Sequence, residues 1–442
     1  MRVLIQFRST PSLSAAAKKS TLGAAVRAGA EGGIPGLVLD PAFPAVPIPK
    51  PVALEPGANP FLLGQPRKFS MKPQDASYLM RGTISDGDPN ATYAMAARNP
   101  EVMGIFADPA IESCIICPGA PAMGSDKDVA KLLSVGKLAA KGMDGKGVAL
   151  AIVDTGINLA HLVSKGRKPI LNGSRSWTPA GVATKPGKHP VDHGTMCAYD
   201  AGIAAPSATL LDHAVLLSRA PGATVMSGLL SDAVLSYSKL LGLLTGALKG
   251  KPLVVSNSWG MFDPAWDFPV GHPGNYSDNA AHPFNVIVSS LEHAGADILF
   301  AAGNCGTNCP DGRCKFGPTR PICGANSHPA VLSVAGIDIG NTRVGYSSQG
   351  PGRLTSRKPD ISAYTHFAGS GVYPADGGTS AACPVGAGVV AAVRAKVSPT
   401  KLPPAALRSL IFKTAQDLGS TGFDFDHGWG AMDPGALLPL LP

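Results

Sequence analysis

Short apolar runs alternate with helical segments from about residue 128 onward. The runs include GVALAIVD at 147–154, PLVVSNSWG at 252–260 and DILFAAGN at 297–304. Helical stretches separate them, for example at 226–248. Apolar runs of about four to eight residues that alternate with helices are typical of parallel strands covered by helices on both faces. The pattern therefore predicts an α/β fold built on a mostly parallel sheet.

A small α+β unit is expected over residues 1–110. Its elements are expected as strands at 2–8, 78–84 and 101–109 and helices at 13–29 and 91–99. Nine prolines between residues 34 and 66 remove backbone donors, which predicts an extended, unpaired, linker-like insertion. Residues 111–127 are interpreted as a linker and processing region, and residues 128–442 as the larger domain.

Composition argues against several classes of protein. The 45% hydrophobic and 15% charged content disfavours global disorder. The net charge of +8 is spread without a basic run, which disfavours a nucleic-acid partner. No apolar stretch reaches the roughly 18 residues that a membrane-spanning helix needs, so no membrane partner is expected. The N terminus lacks a signal-like apolar run, so a cytoplasmic protein is expected, with leaderless secretion as the open alternative.

Three polar residues stand where strands and helices of such a sheet meet. Asp154 closes an apolar run, His193 opens the segment HGTMCA, and Ser380 opens a small-residue helix after two glycines. Singly, each has an ordinary structural explanation, such as capping a turn or a helix. Together they supply a nucleophile, a base that takes its proton, and a carboxylate that orients the base.

Asn304 is a fourth candidate. It ends the segment AAGN directly after an apolar run, where its side-chain amide could donate a hydrogen bond to a developing oxyanion. The helix that begins near Ser380 would add backbone N–H donors at the same place. The alternative is that Asn304 is only a turn residue beside Gly303.

These motifs, in the order Asp, His, Ser, resemble the subtilisin-like serine protease family, the subtilases. The resemblance covers residues 128–442 and rests on VDTGIN, HGTMCA, SNSWG, AAGN and GTSAACP. It implies a catalytic triad of Asp154, His193 and Ser380 and an oxyanion-hole donor in Asn304. It implies two walls of a substrate cleft, formed by Ser258, Trp259 and Gly260 and by Ala301, Ala302 and Gly303. Trp259 is larger than the usual aliphatic residue, so the resemblance does not define the detailed shape of the pocket.

The resemblance also implies a propeptide. Segment 99–112 is similar to the final strand and exit of the family's ferredoxin-like inhibitory propeptide. A self-inhibited, autoprocessed precursor is therefore expected, with the N-terminal domain as intramolecular inhibitor. An accessory domain that is never removed is the alternative. The family's calcium loop has no room after HGTMCAYDAGIAA, so neither calcium nor another cofactor is expected.

The chain has eight cysteines. Four of them cluster after Asn304, at Cys305, Cys309, Cys314 and Cys323. They contain no CxxC pair, so a disulfide-stapled loop is favoured over a structural zinc site. Cys114 and Cys117 are interpreted as loop thiols or a redox pair, and Cys197 and Cys383 as small buried residues on helices.

A serine endopeptidase that hydrolyses polypeptides through an acyl-enzyme is the function that these residues predict. Two alternatives stay open: a catalytically silent binding protein with the subtilase fold, and a peptide-processing enzyme of narrow specificity.

Overall fold

The N-terminal residues form an antiparallel sheet that shares a core with two helices. The computed structural model of the chain describes residues 1–32, 34, 36–63, 67–70, 72, 75–84, 94, 96–113, 121–217, 226–316 and 320–442. The elements here are β1 (Arg2–Phe7), α1 (Pro11–Ala16), α2 (Ala24–Glu31), β2 (Leu37–Leu39), β3 (Val46–Ile48), β4 (Lys50–Ala53), β5 (Arg67–Ser70), β6 (Ser77–Ile84) and β7 (Val102–Ala107). The strand order is β2, β6, β1, β7, and β3 also pairs with β6. The helix expected at 91–99 falls largely outside the described residues.

The described part of the proline-rich segment 34–66 contains three paired strands, so the expectation of an unpaired insertion was wrong. Both β2 and β3 pair with β6, and β4 pairs with β5. Pro47 lies in the middle of β3 with its side chain exposed, between the buried Val46 and Ile48. Because β3 lies at an edge of its sheet, one of its sides has no partner strand. A proline, which has no N–H, is tolerated there because no strand-to-strand hydrogen bond is lost on that side.

The rest of the described chain contains a parallel sheet. The elements are β8 (Ala110–Ser113), α3 (Asp126–Leu132), α4 (Val135–Ala140), β9 (Ala149–Val153), α5 (Leu159–Ser164), β10 (Ile170–Leu171), α6 (His193–Ala201), β11 (Thr209–His213), β12 (Ser227–Leu229), α7 (Leu230–Thr245), β13 (Leu253–Asn257), β14 (Trp259–Gly260), α8 (Pro283–His293), β15 (Ala296–Ala301), β16 (Leu332–Ile337), β17 (Ile361–Tyr364), α9 (Thr379–Arg394), α10 (Pro404–Thr414) and α11 (Pro434–Leu437). Short 3₁₀ turns lie at Gly173–Arg175, Val215–Leu217, Pro264–Trp266, Gly324–Ser327 and Leu438–Leu440.

Seven strands pair in the order β10, β11, β9, β13, β15, β16, β17, all parallel. The predicted α/β fold is confirmed.

The central strands are covered on both faces. Every residue of β9, β13 and β15 is buried. Along β9, Leu150 and Ile152 belong to one hydrophobic cluster, and Ala151 and Val153 belong to another. Successive side chains of a strand point to opposite faces, so two separate cores stabilise this sheet. This is why the strands appear in the sequence as continuous apolar runs.

Helices α6 and α9 approach each other at backbone contact. A side chain at Gly388 in α9 would collide with the carbonyl of Ala201 at the end of α6. The close approach brings together the two helices whose first turns carry His193 and Ser380.

The N-terminal unit contacts the first turn of α7. Arg81 forms ion pairs with Asp40 at 2.6 Å and with Asp232 at 3.1 Å. The side chain of Asp108 accepts hydrogen bonds from the N–H and the hydroxyl of Ser231, at 2.7 and 2.9 Å.

Within the described residues, α7 and the other helices are each too short or too polar to cross a membrane.

Candidate active site

Asp154 and His193 form a buried hydrogen-bonded pair. Asp154 directly follows β9, and its Oδ1 lies 2.8 Å from His193 Nδ1. The same oxygen accepts the N–H of Thr155 at 2.7 Å. The Thr155 hydroxyl accepts the N–H of Gly194 at 2.8 Å, which ties the turn after β9 to the first turn of α6. The carboxylate is therefore held so that it fixes the orientation of the imidazole.

Two glycines allow this close approach. A side chain at Gly194 would lie 2.6 Å from the carbonyl oxygen of Gly156. Gly156 has a φ of +95°, a left-handed conformation that other residues rarely adopt. Sterics therefore explain why glycine stands in both motifs, as Gly156 in DTG and as Gly194 in HG.

The charges around His193 favour its protonated form. Burial lowers the pKa of the imidazole. The carboxylates of Asp154 and Asp192 raise the pKa by more than burial lowers it, so the net pKa lies above its usual value. Asp192 also accepts the N–H of His193 and the hydroxyl of Tyr373, both at 2.8 Å. The other ring nitrogen, Nε2, is buried and has no hydrogen-bond partner among the described residues. Nδ1 of the imidazole is thus bonded to Asp154, while Nε2 carries no hydrogen bond from the described residues.

Ser380 lies beside this pair, in the first turn of α9. Its side chain is fully buried, and its hydroxyl is 3.5 Å from the carbonyl oxygen of Ser258. Cys197, in the same helix as His193, has its Sγ 3.8 Å from His193 Nδ1 and 3.5 Å from the Ser380 carbonyl, so it links α6 to the first turn of α9. The structure therefore brings Asp154, His193 and Ser380 into one buried cluster. Their catalytic roles stay predictions.

Asn304 follows β15 and is held by Thr379. Asn304 Oδ1 accepts both the N–H and the hydroxyl of Thr379, each at 2.9 Å. The Thr379 hydroxyl in turn accepts the N–H of Gly303 at 3.0 Å. Because both bonds end on the amide oxygen, the orientation of the Asn304 amide is defined. Thr379 was not among the residues predicted from the sequence, although it stands in the GTS motif directly before Ser380.

The two predicted walls of the cleft lie next to each other. The Ser258 hydroxyl donates to the Ser380 carbonyl at 3.0 Å. Asn326, another residue not predicted, donates through Nδ2 to the carbonyls of Trp259 at 2.8 Å and Ala301 at 2.9 Å. It thereby joins the two walls. Among the other predicted wall residues, Gly260, Ala302 and Gly303 line one small cavity.

The ring of Trp259 points away from this cleft. It is completely buried in the core and packs against Phe284 and Phe300, with ring centroids 5.8 and 5.1 Å away. The size of this side chain therefore affects the core beneath the strand. The ring does not shape the pocket, because it is on the other face of the strand.

The chain's own strand β8 lies between β12 and β14. Ser113 is opposite Trp259 and Glu112 is opposite Gly260, in antiparallel register. On the other side, Glu112 is opposite Ser227. The segment interpreted as a linker, 111–127, thus begins as a strand paired with a predicted wall of the cleft.

The cysteine cluster is divided between bonded and free residues. Cys305 and Cys314 form a disulfide with Cα atoms 5.7 Å apart, and Cys309 is also disulfide-bonded. Cys323 is free and buried, with Sγ 3.7 Å from the carbonyl of Met261. Cys197 and Cys383 are free and buried as well, whereas Cys114 and Cys117 lie outside the described residues. A four-cysteine zinc site does not fit this arrangement.

One group of potential metal ligands was found in the described part of the chain. The ligand atoms of Asp154, His193 and Cys197 lie within 4.8 Å of one another. Calcium prefers oxygen ligands, so the imidazole and thiol do not suit it. Burial, followed by the charge of Asp154, raises the pKa of the Cys197 thiol well above its usual value, which disfavours the thiolate that a softer metal would need. The group does not fit a metal site.

Comparison with known proteins agrees with the motifs. The model of the subtilase family matches residues 145–430. Subtilisin E of Bacillus subtilis is 26% identical over 298 residues, which cover 67% of this chain and 67% of the relative. A subtilisin of Bacillus pumilus is 26% identical over 298 residues, covering 67% of this chain and 92% of the relative. A calcium-dependent protease of a Nostoc species is 29% identical over 279 residues, covering 57% and 39% of the two chains.

Proposed function

The chain belongs to the subtilase family and is a subtilisin-like serine endopeptidase, and we propose that Asp154, His193 and Ser380 are its catalytic residues. The observation that carries this proposal is the 2.8 Å bond between Asp154 Oδ1 and His193 Nδ1, with the buried Ser380 joined to His193 through Cys197 Sγ. A serine hydroxyl is a weak nucleophile, and an oriented imidazole is the group that activates it.

The proposed reaction passes through an acyl-enzyme. Ser380 Oγ attacks the scissile carbonyl carbon while its proton moves to His193 Nε2, and Asp154 stabilises the imidazolium. The tetrahedral intermediate then loses the amine, which takes the proton from His193. Water attacks the remaining ester by the same steps and releases Ser380.

The oxyanion of each tetrahedral intermediate needs preorganised donors. Ser380 stands in the first turn of α9, where backbone N–H groups lack intrahelical acceptors and the helix dipole is positive. The Asn304 amide supplies a second donor, oriented by its two bonds from Thr379. Removal of such an amide donor in a subtilisin costs about 10² to 10³ in kcat.

The place of β8 supports binding of polypeptides as an added strand. We propose that substrates pair with β12 and β14 as residues 110–113 do, which is a recurring way of recognising an extended peptide. We further propose that the N-terminal unit is an intramolecular inhibitor, because strand β8, which directly follows it, occupies this place. The contacts of Arg81 with Asp232 and of Asp108 with Ser231 would hold it there.

Catalysis by these residues requires no metal. Nucleophile, base and oxyanion donors all come from the protein, so a chelator should leave the initial rate unchanged. The relative named as calcium-dependent makes this worth measuring. A rate that falls with chelator and returns with calcium, at an unchanged unfolding free energy in urea, would contradict the proposal.

Replacement of the nucleophile tests the proposed function. Ser380→Ala should abolish hydrolysis of casein, whereas Ser409→Ala, on the exposed face of α10, should retain it. Intact mass of the wild-type chain should show a cut between Ser113 and Lys127 that the Ser380→Ala chain lacks.

Two results would contradict parts of this account. Hydrolysis by purified Ser380→Ala protein would refute the catalytic assignment. A wild-type chain that is fully active while uncut would refute the inhibitor proposal alone.

A further inference from the structure

A disulfide-closed loop covers one side of strand β8. The loop runs from Cys305 to Cys314, directly after Asn304. Within it, the Asp311 N–H donates to the carbonyl of Asn304 at 2.8 Å, and the Cys314 N–H donates to the carbonyl of Asp311 at 2.9 Å. The loop is therefore attached both to itself and to the end of β15. It presents Arg313 to the cleft.

The guanidinium of Arg313 is fixed before it meets β8. Its Nε donates to Asp311 Oδ1 at 3.1 Å, and its Nη2 donates to Asp311 Oδ2 at 2.7 Å. Its central carbon lies 4.9 Å from the ring centroid of Phe262. A side chain held along one edge and over an aromatic face loses little entropy when the remaining edge binds a ligand.

The remaining edge binds Glu112. Nη1 of Arg313 forms an ion pair with Glu112 Oε2, and Nη2 also donates to the carbonyl of Ser113 at 2.6 Å. Glu112 is only 3% exposed, whereas its neighbour Ile111 packs into the hydrophobic core. The strand therefore directs an apolar side chain to one side and an acidic side chain to the other. Burial of a carboxylate is costly unless it is paired, and Arg313 pairs it here.

The strand register relates Glu112 to a position in the substrate. Ser113 lies opposite Trp259, and Glu112 lies opposite Gly260. The carbonyl of Ser258, one residue before Trp259, is 3.5 Å from the Ser380 hydroxyl. In this register, the substrate residue that carries the scissile carbonyl is opposite Ser258. Counted back from the scissile bond, Glu112 occupies the place of the third substrate residue.

We propose that Arg313 makes this endopeptidase selective for Glu or Asp at the third residue before the scissile bond. The inference rests on the proposed function and adds the class of substrate. A hydrogen bond to an ionised group is worth about tenfold to a hundredfold in affinity. Asp311 already neutralises part of the charge, so the lower end of this range is expected. A lysine at the third position is repelled by the same guanidinium.

Peptide hydrolysis tests the proposal directly. Fluorogenic peptides that differ only in Glu, Gln or Lys at the third position are compared by kcat/KM. The wild type should prefer Glu to Gln by about tenfold, mainly through KM, because the contact is the same in the ground and transition states. Arg313→Gln should bring the ratio near one, and Arg357→Gln, an exposed arginine elsewhere, should preserve it. Asp311→Asn should increase the ratio, because the guanidinium then keeps more of its charge.

A second measurement does not depend on hydrolysis. In a Ser380→Ala chain, hydrogen exchange of the Ser113 amide, which donates to the Met226 carbonyl at 3.2 Å, reports how tightly β8 is held. Glu112→Gln and Arg313→Gln should each accelerate this exchange by about tenfold. The double variant should exchange no faster than Arg313→Gln alone, because the Glu112 contact is already lost in that single variant.

The outcomes separate the subsite from the proposed function. Hydrolysis with equal rates for Glu and Gln, or a preference that survives Arg313→Gln, overturns the subsite and leaves the protease assignment intact. No hydrolysis of any peptide, together with coupled exchange at Ser113, confirms the contact of Arg313 with β8 but refutes the proposed function and, with it, the substrate preference. Exchange effects that add in the double variant overturn the pairing of Arg313 with Glu112.

Discussion

The hydroxyl of Thr379 bonds to Asn304, the proposed oxyanion donor, and removal of this hydroxyl is the most informative substitution. Thr379→Val keeps the shape of the side chain but deletes two buried hydrogen bonds, one to Asn304 Oδ1 at 2.9 Å and one from the Gly303 N–H at 3.0 Å. The Gly303 N–H loses this partner in a fully enclosed site, which costs about 1–3 kcal/mol of folding free energy. Asn304 keeps one bond, from the Thr379 N–H.

The expected kinetic effect follows from the oxyanion-donor role proposed for Asn304. Complete loss of an amide donor to the oxyanion costs about 10² to 10³ in kcat, as measured in a subtilisin. An amide held by one bond in place of two should lose only part of this, about tenfold in kcat. The KM should change little, because the oxyanion forms only after attack.

Steady-state hydrolysis of a chromogenic peptide gives kcat and KM, and urea unfolding gives the change in stability. Thr379→Ser is the matched control, because it retains the hydroxyl and should restore most of both losses. The reasoning fails if Thr379→Val has the kcat of the wild type, or if Thr379→Ser is impaired as much as Thr379→Val.

Other substitutions test charge, ion pairing and the loop. Asp192→Asn removes a charge that raises the pKa of His193, so His193 should stay neutral to lower pH. The acid limb of the profile of kcat/KM against pH should therefore move to lower pH. An acid limb that does not move would contradict this. Asp297→Ala leaves the fully buried Arg394 without the carboxylate that binds it at 2.6 and 2.8 Å. The unfolding free energy measured in urea should fall by about 3–5 kcal/mol. A loss below about 1 kcal/mol would show that this ion pair does not stabilise the fold. Replacing both cysteines of Cys305–Cys314 with serine should destabilise the chain by about 2–3 kcal/mol and reduce the preference for Glu, as measured by urea unfolding and peptide hydrolysis.

The parallel sheet and the cluster of catalytic candidates could be predicted because their signals are local. A strand buried on both faces, such as β9, appears as an uninterrupted apolar run. Asp154, His193, Asn304 and Ser380 each stand in a short motif at the end of a strand or the start of a helix. The structure brings these motifs together as a parallel sheet requires.

Contacts between distant parts of the chain carry no such signal. Glu112 and Arg313 are 201 residues apart, and neither stands in a motif that indicates the other. The pairing of Cys305 with Cys314 could not be predicted, because clustered cysteines allow several pairings. Pro47 lies in a paired strand because one side of β3 is open, which depends on the whole sheet. The ring of Trp259 turns to the core for a similar reason: only the packed structure shows which face of the strand is buried.

The central claim is that Ser380 is a nucleophile activated by His193, and covalent labelling tests it most directly. Processed enzyme is treated with a fluorophosphonate, digested and mapped by mass spectrometry. The account predicts one modified residue, Ser380, and strongly reduced labelling in His193→Ala, where the serine is present but lacks its base. Modification at another residue, or undiminished labelling of His193→Ala, would contradict it.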